Sequence, residues 1–152
     1  MIALIQRVSG AKVETDGEKI AEIGVGLLVL AAVERDDGPE QATRLADRLC
    51  AYRVFPDGAG KMNCSVRDVG GSLLLVPQFT LAADTSSGLR PSFSRAAPPE
   101  LGAALFAELV AAVKATGVPC ACGKFGADMQ VSLTNDGPVT FWLQVSSARA
   151  VE

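Results

Sequence analysis

The segment Pro77-Gln78-Phe79-Thr80-Leu81 carries polar groups at a spacing that suits chemistry on a bound ligand. It follows residues 72–76, a serine and four apolar residues, which predict a buried strand. If the segment is extended, Gln78 and Thr80 point to one side and Phe79 points to the other. Their amide and hydroxyl could bind a ligand, and consecutive backbone N–H groups could stabilise an oxyanion. The alternative is a strand edge whose polar side chains only face solvent.

A second segment, Asn135-Asp136-Gly137-Pro138, combines residue types that favour a tight turn. Asparagine, aspartate and glycine tolerate positive φ, whereas proline fixes φ, lacks an N–H and is the usual site of cis peptides. A Gly-Pro turn presents bare backbone carbonyls, which could sterically inspect a small ligand. We predict that this turn joins two strands, over about 124–134 and 139–145, and a plain hairpin loop is the alternative.

The chain has no histidine, and this restricts the chemistry further. Ser-His and Cys-His pairs, and the commonest general base of enzymes, are therefore excluded. Of the four cysteines only Cys120 and Cys122 are closely spaced, and a lone Cys-x-Cys pair is a weak metal signal. We expect reduced thiols, no metal and no cofactor. Catalysis would then depend on a carboxylate, on the backbone or on the substrate's own groups.

Charge and hydropathy limit the class of protein. The chain has 152 residues, which fits one domain, and a formal net charge of -3. Lysine and arginine are scattered, so binding along an extended nucleic-acid backbone is not expected, whereas contact with one RNA end is compatible with the pattern. No apolar run approaches the roughly 20 residues that span a bilayer, and the first residues do not resemble a signal peptide. The expected location is the cytoplasm, without membrane association.

The hydrophobic pattern predicts one α+β or mixed α/β domain over residues 1–145, followed by a frayed tail over residues 146–152. The predicted order of elements is β-β-β-β-α-β-α-β-β, with a strongly curled sheet. Apolar residues at helical spacing predict two main helices. One extends over about 40–54, and the other begins near Pro98 and ends at a glycine cap, Gly117.

Four strands are predicted before the first helix. Residues 1–8 predict a strand that ends in a turn at Ser9-Gly10, and Asp16-Gly17 is a hairpin signal between the next two strands. The run over residues 25–33 is apolar without alternation, which predicts a strand buried on both faces. Residues 57–71 are rich in loop-forming types.

A long polar loop is predicted over residues 82–97, and loops of this length in compact domains are often functional. It holds Arg90 and Arg95, which either contact RNA phosphates or are simply solvated. It also holds Asp84, one of the carboxylates that could act as a base.

The chain resembles the D-aminoacyl-tRNA deacylases of the widespread bacterial and eukaryotic type. Six motifs carry the resemblance in order along the chain up to Val145, and several motifs in one frame are far more specific than any one alone. They are MIALIQRV at 1–8, GLLVL at 26–30, GKMN at 60–63, QFTLAADT at 78–85, RPSF at 90–93 and NDGPVT at 135–140.

The resemblance implies a curled, barrel-like sheet and hydrolysis of the ester bond of D-aminoacyl-tRNA, and also of glycyl-tRNA. It implies a homodimer in which Gly137-Pro138, joined by a cis bond, reaches into the partner's site and excludes the side chains of L-amino acids. Residues Gln78, Phe79 and Thr80 would receive the 3′-terminal adenosine and its ester.

The resemblance also implies roles for three further residues. Arg7 would help to hold the Gly-Pro loop, and Phe125 and Met129, on the predicted strand before that loop, would line the adenosine side. Pro77 departs from the family, which usually has serine here, and proline removes both a hydroxyl and a backbone donor. We interpret this departure as a sign that the residue is not the nucleophile.

Three mechanisms remain open for such an ester, which is already activated. In the favoured one, the ribose 2′-OH assists water while the amides near Phe79 and Thr80 stabilise the oxyanion. In another, Thr80 attacks and forms an acyl-enzyme, although it lacks an obvious base. In the third, Asp84 or Asp128 is the base. A non-catalytic module that binds a nucleotide or RNA end, and a general esterase using Thr80, are the alternative functions.

Overall fold

A fourteen-residue strand, β1 (Ile2–Thr15), organises the sheet in this computed structural model, which describes residues 1–147. A 3-10 turn over Phe79–Ala82 follows the sixth strand. The other elements are β2 (Glu18–Ile23), β3 (Gly26–Ala32), α1 (Pro39–Ala51), β4 (Phe55–Pro56), β5 (Met62–Cys64), β6 (Ser72–Pro77), α2 (Pro99–Ala115), β7 (Cys120–Cys122) and β8 (Gln130–Gln144).

The sheet curls because β1 is long enough to serve two neighbours on one side. It pairs antiparallel with β3 near its start and with β2 near its end, while β8 follows its other side. Parallel pairs then join β3 to β6 and β6 to β7. Because β2 also lies against β6 and β7, the sheet closes on itself as the barrel-like sheet that the resemblance implies.

Strands β3 and β6 separate two apolar cores. Leu27 and Val29 of β3 pack with the helices on one side of the sheet, whereas Leu28 faces the inside of the curled sheet. Leu73 and Leu74 of β6 divide in the same way. Burial on both faces explains why these strands are apolar without alternation. The strand predicted over residues 25–33 is confirmed for residues 26–32, whereas Val25 is 55% exposed.

The two helices lie together against one face of the sheet. Pro39 and Pro99 occupy the first turns of α1 and α2, where a missing N–H is harmless. Gly117 follows the end of α2 with a φ of 84°, so the predicted glycine cap is confirmed. Both predicted helices are present, although α1 ends three residues before the predicted Val54.

Two predictions in the first half of the chain are wrong. The expected turn at Ser9-Gly10 does not occur, because β1 continues through it to Thr15. The register with β8 shifts at this point, so that Ser9 is accommodated as a bulge. The predicted order has a single strand between the two helices, but the short strands β4 and β5 also lie there and pair with each other. Of the predicted tail, residues 148–152 lie outside the described residues.

The predicted pair of C-terminal strands is also wrong. Residues 130–144 form the single strand β8, and its two halves pair with the same strand, β1. Between the pair Gln6 with Thr140 and the pair Val8 with Asn135, residues 136–139 have only Arg7 opposite them. We call residues 136–139 the Gly-Pro excursion. It is a wide bulge in one strand, and not a hairpin between two.

Within residues 1–147, no helix combines the length and the apolar character that a membrane crossing requires.

Candidate active site

A cavity of about 790 Å³ opens where β6 ends, between the 3-10 turn, the start of α2 and the loop before β8. Its lining is mostly apolar and aromatic with a few polar groups, as in typical sites for small organic ligands. Five of the predicted site residues, and one further aromatic residue, line this cavity: Pro77, Gln78, Phe79, Phe125 and Met129, with Phe93.

The segment after β6 is not extended, because Phe79–Ala82 form a 3-10 turn. Its first hydrogen bond runs from the Leu81 N–H to the Gln78 carbonyl, at 3.2 Å. The N–H groups of Phe79 and Thr80 precede that bond and have no acceptor within the turn. Neither N–H group donates a hydrogen bond to any other backbone group of residues 1–147, so two adjacent donors are available to a ligand beside the cavity. The Gln78 amide donates to the Thr80 hydroxyl, so these side chains do meet.

Aromatic rings form the exposed wall of the cavity. The ring centroids of Phe79 and Phe93 lie 5.2 Å apart, and Phe79 is 58% exposed, unlike a core residue. Phe125 lies over Gly102 of α2, where an added Cβ would come within 3.2 Å of the ring. A larger residue at Gly102 would therefore push the ring into the cavity.

Phe125 and Met129 belong to the loop between β7 and β8, and not to a strand as predicted. The Met129 sulfur packs so closely on Gly123 that an added Cβ there would lie 2.8 Å from it. The same Cβ would lie 3.5 Å from Pro77. The close approach of this loop to the end of β6 is what builds the cavity floor.

Pro77 fits the end of β6 without loss of a sheet hydrogen bond. The next N–H, of Gln78, donates to the Ala31 carbonyl of β3 at 2.7 Å, so the nitrogen of Pro77 faces the other side. On that side β7 pairs only as far as Leu75. Proline is tolerated because no neighbouring strand needs its missing N–H.

The Gly-Pro excursion is held at its base by Asn135. The Asn135 amide donates to the carbonyls of Arg7 and Val139, at 2.8 and 3.0 Å, and its oxygen accepts the Val139 N–H at 3.2 Å. A Cβ on Gly137 would lie 2.5 Å from that oxygen and 2.1 Å from the Val139 nitrogen. The clamp therefore closes only around glycine. The Gly137–Pro138 bond is cis, as the resemblance implies.

Arg7, the one residue opposite the excursion, ties it to the body of the protein. Its side chain donates to the Asp136 carbonyl at 2.9 Å and to the Val54 carbonyl at 2.7 Å, and it pairs with the Asp136 carboxylate at 3.3 Å. Because the Arg7 side chain is only 13% exposed, these bonds are partly shielded from water.

We expect Asn135→Ala to loosen the excursion without unfolding the protein. The change deletes three hydrogen bonds and leaves backbone groups without partners, which should lower the free energy of unfolding by about 1–3 kcal/mol. Urea denaturation measures this loss. Asn63→Ala is the matched control, because Asn63 is exposed and accepts one bond of 3.3 Å from Arg53. Equal effects of the two changes would contradict the clamp.

The predicted site residues thus fall into two groups. The cavity lining does not include Arg7, Gly137 or Pro138, which lie together around the excursion. It does not include Thr80 either, whose side chain is exposed on the rim. Within one chain, the N–H donors of Phe79 and Thr80 therefore lie beside the cavity, whereas the Gly-Pro excursion does not line it.

The remaining reactive side chains differ in how well they could act as a base, as a nucleophile or as a metal ligand. Hydrogen bonds from the Ser86 side chain and backbone, assisted by Arg95, hold the pKa of Asp84 below its ordinary value, which makes it a weak base. Asp128 lines the cavity. Burial raises the pKa of the Cys120 thiol, which disfavours the thiolate. Among residues 1–147, no three acidic or cysteine side chains gather where they could bind a metal.

Sequence reasoning missed three residues of this region. Gly102 carries a recognisable signal, since glycine inside a helical pattern often marks a close approach. The sequence places Asn135 in the predicted turn, but its role as a clamp is missed because its three bonds depend on a bulge that the pattern does not reveal. Arg35 also lines the cavity, and only the fold brings it there.

A family model described as D-Tyr-tRNA(Tyr) deacylase matches residues 4–144, almost the whole chain. The chain belongs to this deacylase family. A D-aminoacyl-tRNA deacylase of Alkalilimnicola ehrlichii is 59% identical over 150 residues, covering 99% of this chain and 100% of that protein. Another, of Nitrosococcus oceani, is 62% identical over 148 residues, covering 97% of this chain and 96% of that protein.

Two solved structures share the fold of this chain. One described as c-Myc DNA Unwinding Element Binding Protein has a TM-score of 0.91 and 35% identity, and covers 97% of this chain and 100% of its own. One described as a probable eukaryotic D-amino acid tRNA deacylase has a TM-score of 0.82 and covers 95% of this chain and 98% of its own. At 16% identity, the second likeness concerns the fold alone.

Proposed function

We propose that this protein hydrolyses the ester bond of D-aminoacyl-tRNA and releases free amino acid and tRNA. The observation that carries the proposal is a pair of backbone N–H groups, of Phe79 and Thr80, beside an apolar cavity at the end of β6; within the described part of the chain neither donates to another backbone group. In this proposal the terminal adenosine enters the cavity, where Phe125 and Met129 line its side. The carbonyl of the ester then lies against the two N–H groups.

The proposed mechanism relies on the substrate for its base. As water attacks the carbonyl carbon, negative charge develops on the carbonyl oxygen, and two preorganised backbone donors stabilise that charge. The neighbouring ribose 2′-OH accepts a proton from the attacking water and passes its own proton to the ribose 3′-oxygen as the ester C–O bond breaks, since the chain has no histidine and the pKa of Asp84 is lowered. The products are the free amino acid and the tRNA with its 3′-OH restored. Thr80 is not the nucleophile, because its hydroxyl is exposed on the rim and accepts a bond from Gln78.

Chiral selection is assigned to the Gly-Pro excursion of a second copy in a homodimer. The carbonyls of Gly137 and Pro138 would form a wall that rejects the side chain of an L-amino acid by steric clash. Glycine has no side chain and would pass, so glycyl-tRNA is also a substrate. The separation of the excursion from the cavity within one chain supports a contribution from a partner.

Strand β8 supports the same assembly. Within the described residues it pairs only with β1, so its other edge is open along 15 residues. Two large apolar side chains on it, Leu133 and Trp142, are 37% and 52% exposed. An open edge that carries apolar side chains is a surface that a second copy can cover.

The proposed activity also implies a cellular role. The protein would act in the cytoplasm, in quality control of translation.

The deciding experiment compares amino acid release from D- and L-tyrosyl-tRNA with the same purified protein. We expect fast multiple-turnover release from the D ester, while the L ester decays at its uncatalysed rate. Equal release from both would instead indicate a general esterase. Binding without release would indicate a module that only recognises the RNA end, and either outcome would overturn the proposal.

A further inference from the structure

Residues 84–95, which we call the arm, leave the rim of the cavity and return to it, and backbone hydrogen bonds close the segment on itself. Asp84 and Ser92 exchange both backbone hydrogen bonds, at 2.7 and 3.0 Å. Inside this closure the Asp84 carboxylate accepts the Ser86 N–H at 2.9 Å. The arm therefore has internal structure of its own, although its residues 85–95 are exposed.

Contacts at its base hold the arm to the cavity. Phe93 packs on Phe79 with ring centroids 5.2 Å apart. The Arg95 carbonyl accepts the Arg35 N–H at 2.9 Å, just beyond β3. The C-terminal end of the arm is thus tied both to the 3-10 turn and to the segment just beyond β3, which fixes its position relative to the cavity.

Three arginines mark this route from the cavity outward. Arg35 lines the cavity, Arg95 lies at the base of the arm, and Arg90 lies near its tip. Arg95 pairs weakly with Asp84, at 3.9 Å. Neither Arg35 nor Arg90 has a carboxylate within 4.0 Å among residues 1–147.

The nearest acids do not cancel these charges completely. Glu34 is engaged by the amino group of Met1 at 3.2 Å and by the Gln144 amide. Asp36 is exposed beside Arg35 and has no such partner in the described residues, so the attraction from each arginine should be modest. A modest, local attraction fits a short ligand segment, and the net charge of -3 does not favour an extended one.

We propose that this arm binds the single-stranded 3′ end of the tRNA, with Arg35 and Arg90 on phosphates of the nucleotides that precede the terminal adenosine. The inference rests on the proposed function, since it requires that adenosine to lie in the cavity. In this arrangement the RNA chain leaves the cavity past Arg35 and along the arm. Guanidinium groups suit phosphates because their planar fork matches two phosphate oxygens.

Phosphate contacts of this kind carry no sequence information, so the arm holds every tRNA alike. They make binding sensitive to salt, because each neutralised phosphate releases counterions. The arm therefore contributes to KM, and it contributes nothing to the choice between D and L esters.

The test uses Arg35→Gln, Arg90→Gln and the double variant in the full-length protein. Each is assayed on D-tyrosyl-tRNA and on 3′-O-D-tyrosyl-adenosine, which lacks phosphates. We expect each change to raise KM for the tRNA about three- to tenfold with kcat unchanged. The salt dependence of log(kcat/KM) should lose a slope of about 0.7 per arginine, as expected for a single strand, and the small ester should be unaffected.

Arg44→Gln on α1 is the matched control, because Arg44 is exposed and lies on another element. It should change neither KM nor the salt slope. Equal losses on both substrates, or no loss on the tRNA, would overturn the role of the arm while the proposed function stands. If the unmodified protein cleaves neither ester, the proposed function fails and the role of the arm falls with it.

Discussion

Replacing Gly137 by alanine is expected to reduce kcat/KM for D-aminoacyl-tRNA by about 100-fold or more while the protein remains folded. The added Cβ would lie 2.1 Å from the Val139 nitrogen and 2.5 Å from the Asn135 oxygen, so the excursion has to move. The core does not have to move with it, since Gly137 is exposed. Steady-state kinetics and circular dichroism measure the two quantities.

Gly58→Ala is the matched control for this change. An added Cβ at Gly58 meets nothing within 4 Å, and its φ is not in the left-handed region. Gly58→Ala should therefore leave both activity and stability unchanged. Activity of Gly137→Ala close to the unmodified level would show that the shape of the excursion is not needed for hydrolysis.

A mixing experiment distinguishes a partner's excursion from the chain's own. Gly102→Phe should fill the cavity, because even a Cβ at this position approaches the Phe125 ring to 3.2 Å. If the excursion acts across the dimer, Gly137→Ala and Gly102→Phe are each inactive alone. After exchange of subunits at equal amounts, about a quarter of the unmodified activity should return, since half of the dimers hold one complete site. No recovery despite exchange would contradict the cross-subunit arrangement.

A substrate that lacks the ribose 2′-OH is expected to be inert, with a loss of about 100-fold or more in kcat. The backbone N–H groups of Phe79 and Thr80 can stabilise charge, but they cannot accept the proton of the attacking water. Measuring D-tyrosyl-tRNA that ends in 2′-deoxyadenosine tests this directly. Its uncatalysed hydrolysis must be subtracted, because loss of the hydroxyl also slows the reaction in water.

Thr80→Ala is the counterpart of that experiment. If Thr80 is only a rim residue bonded to Gln78, the variant should keep kcat within about tenfold of the unmodified protein. Loss of nearly all activity, together with turnover of the deoxy substrate, would instead establish a threonine nucleophile. Asp128→Asn tests the remaining carboxylate mechanism, since Asp128 lines the cavity.

The helices and the buried strands could be predicted from the sequence because their signals are local. Apolar spacing located α1 and α2, and unbroken apolar runs located β3 and β6. The register of strand pairing could not be predicted from local signals, since it depends on the partner strand. Turn-forming residues normally join two strands, but β1 is long enough to pair with both sides of residues 136–139, so the predicted hairpin is a bulge.

The site could be predicted only in part for the same reason. The segment from Pro77 to Thr80 was located by residue type, but its 3-10 turn was not, because extended and turned forms share these residues. Asn135 and Arg7 meet across a sequence separation of 128 residues. No periodicity reports such a contact, and only the folded chain brings the two residues together.

The separation of the cavity from the Gly-Pro excursion has a kinetic consequence in the proposed dimer. A chain taken singly holds half of a site, so activity belongs to the pair of subunits. Above the dissociation constant of the dimer, the rate is proportional to protein concentration. Below that constant, the rate falls with the square of the protein concentration. A cell that makes too little of the protein would therefore lose proofreading activity more steeply than it loses protein.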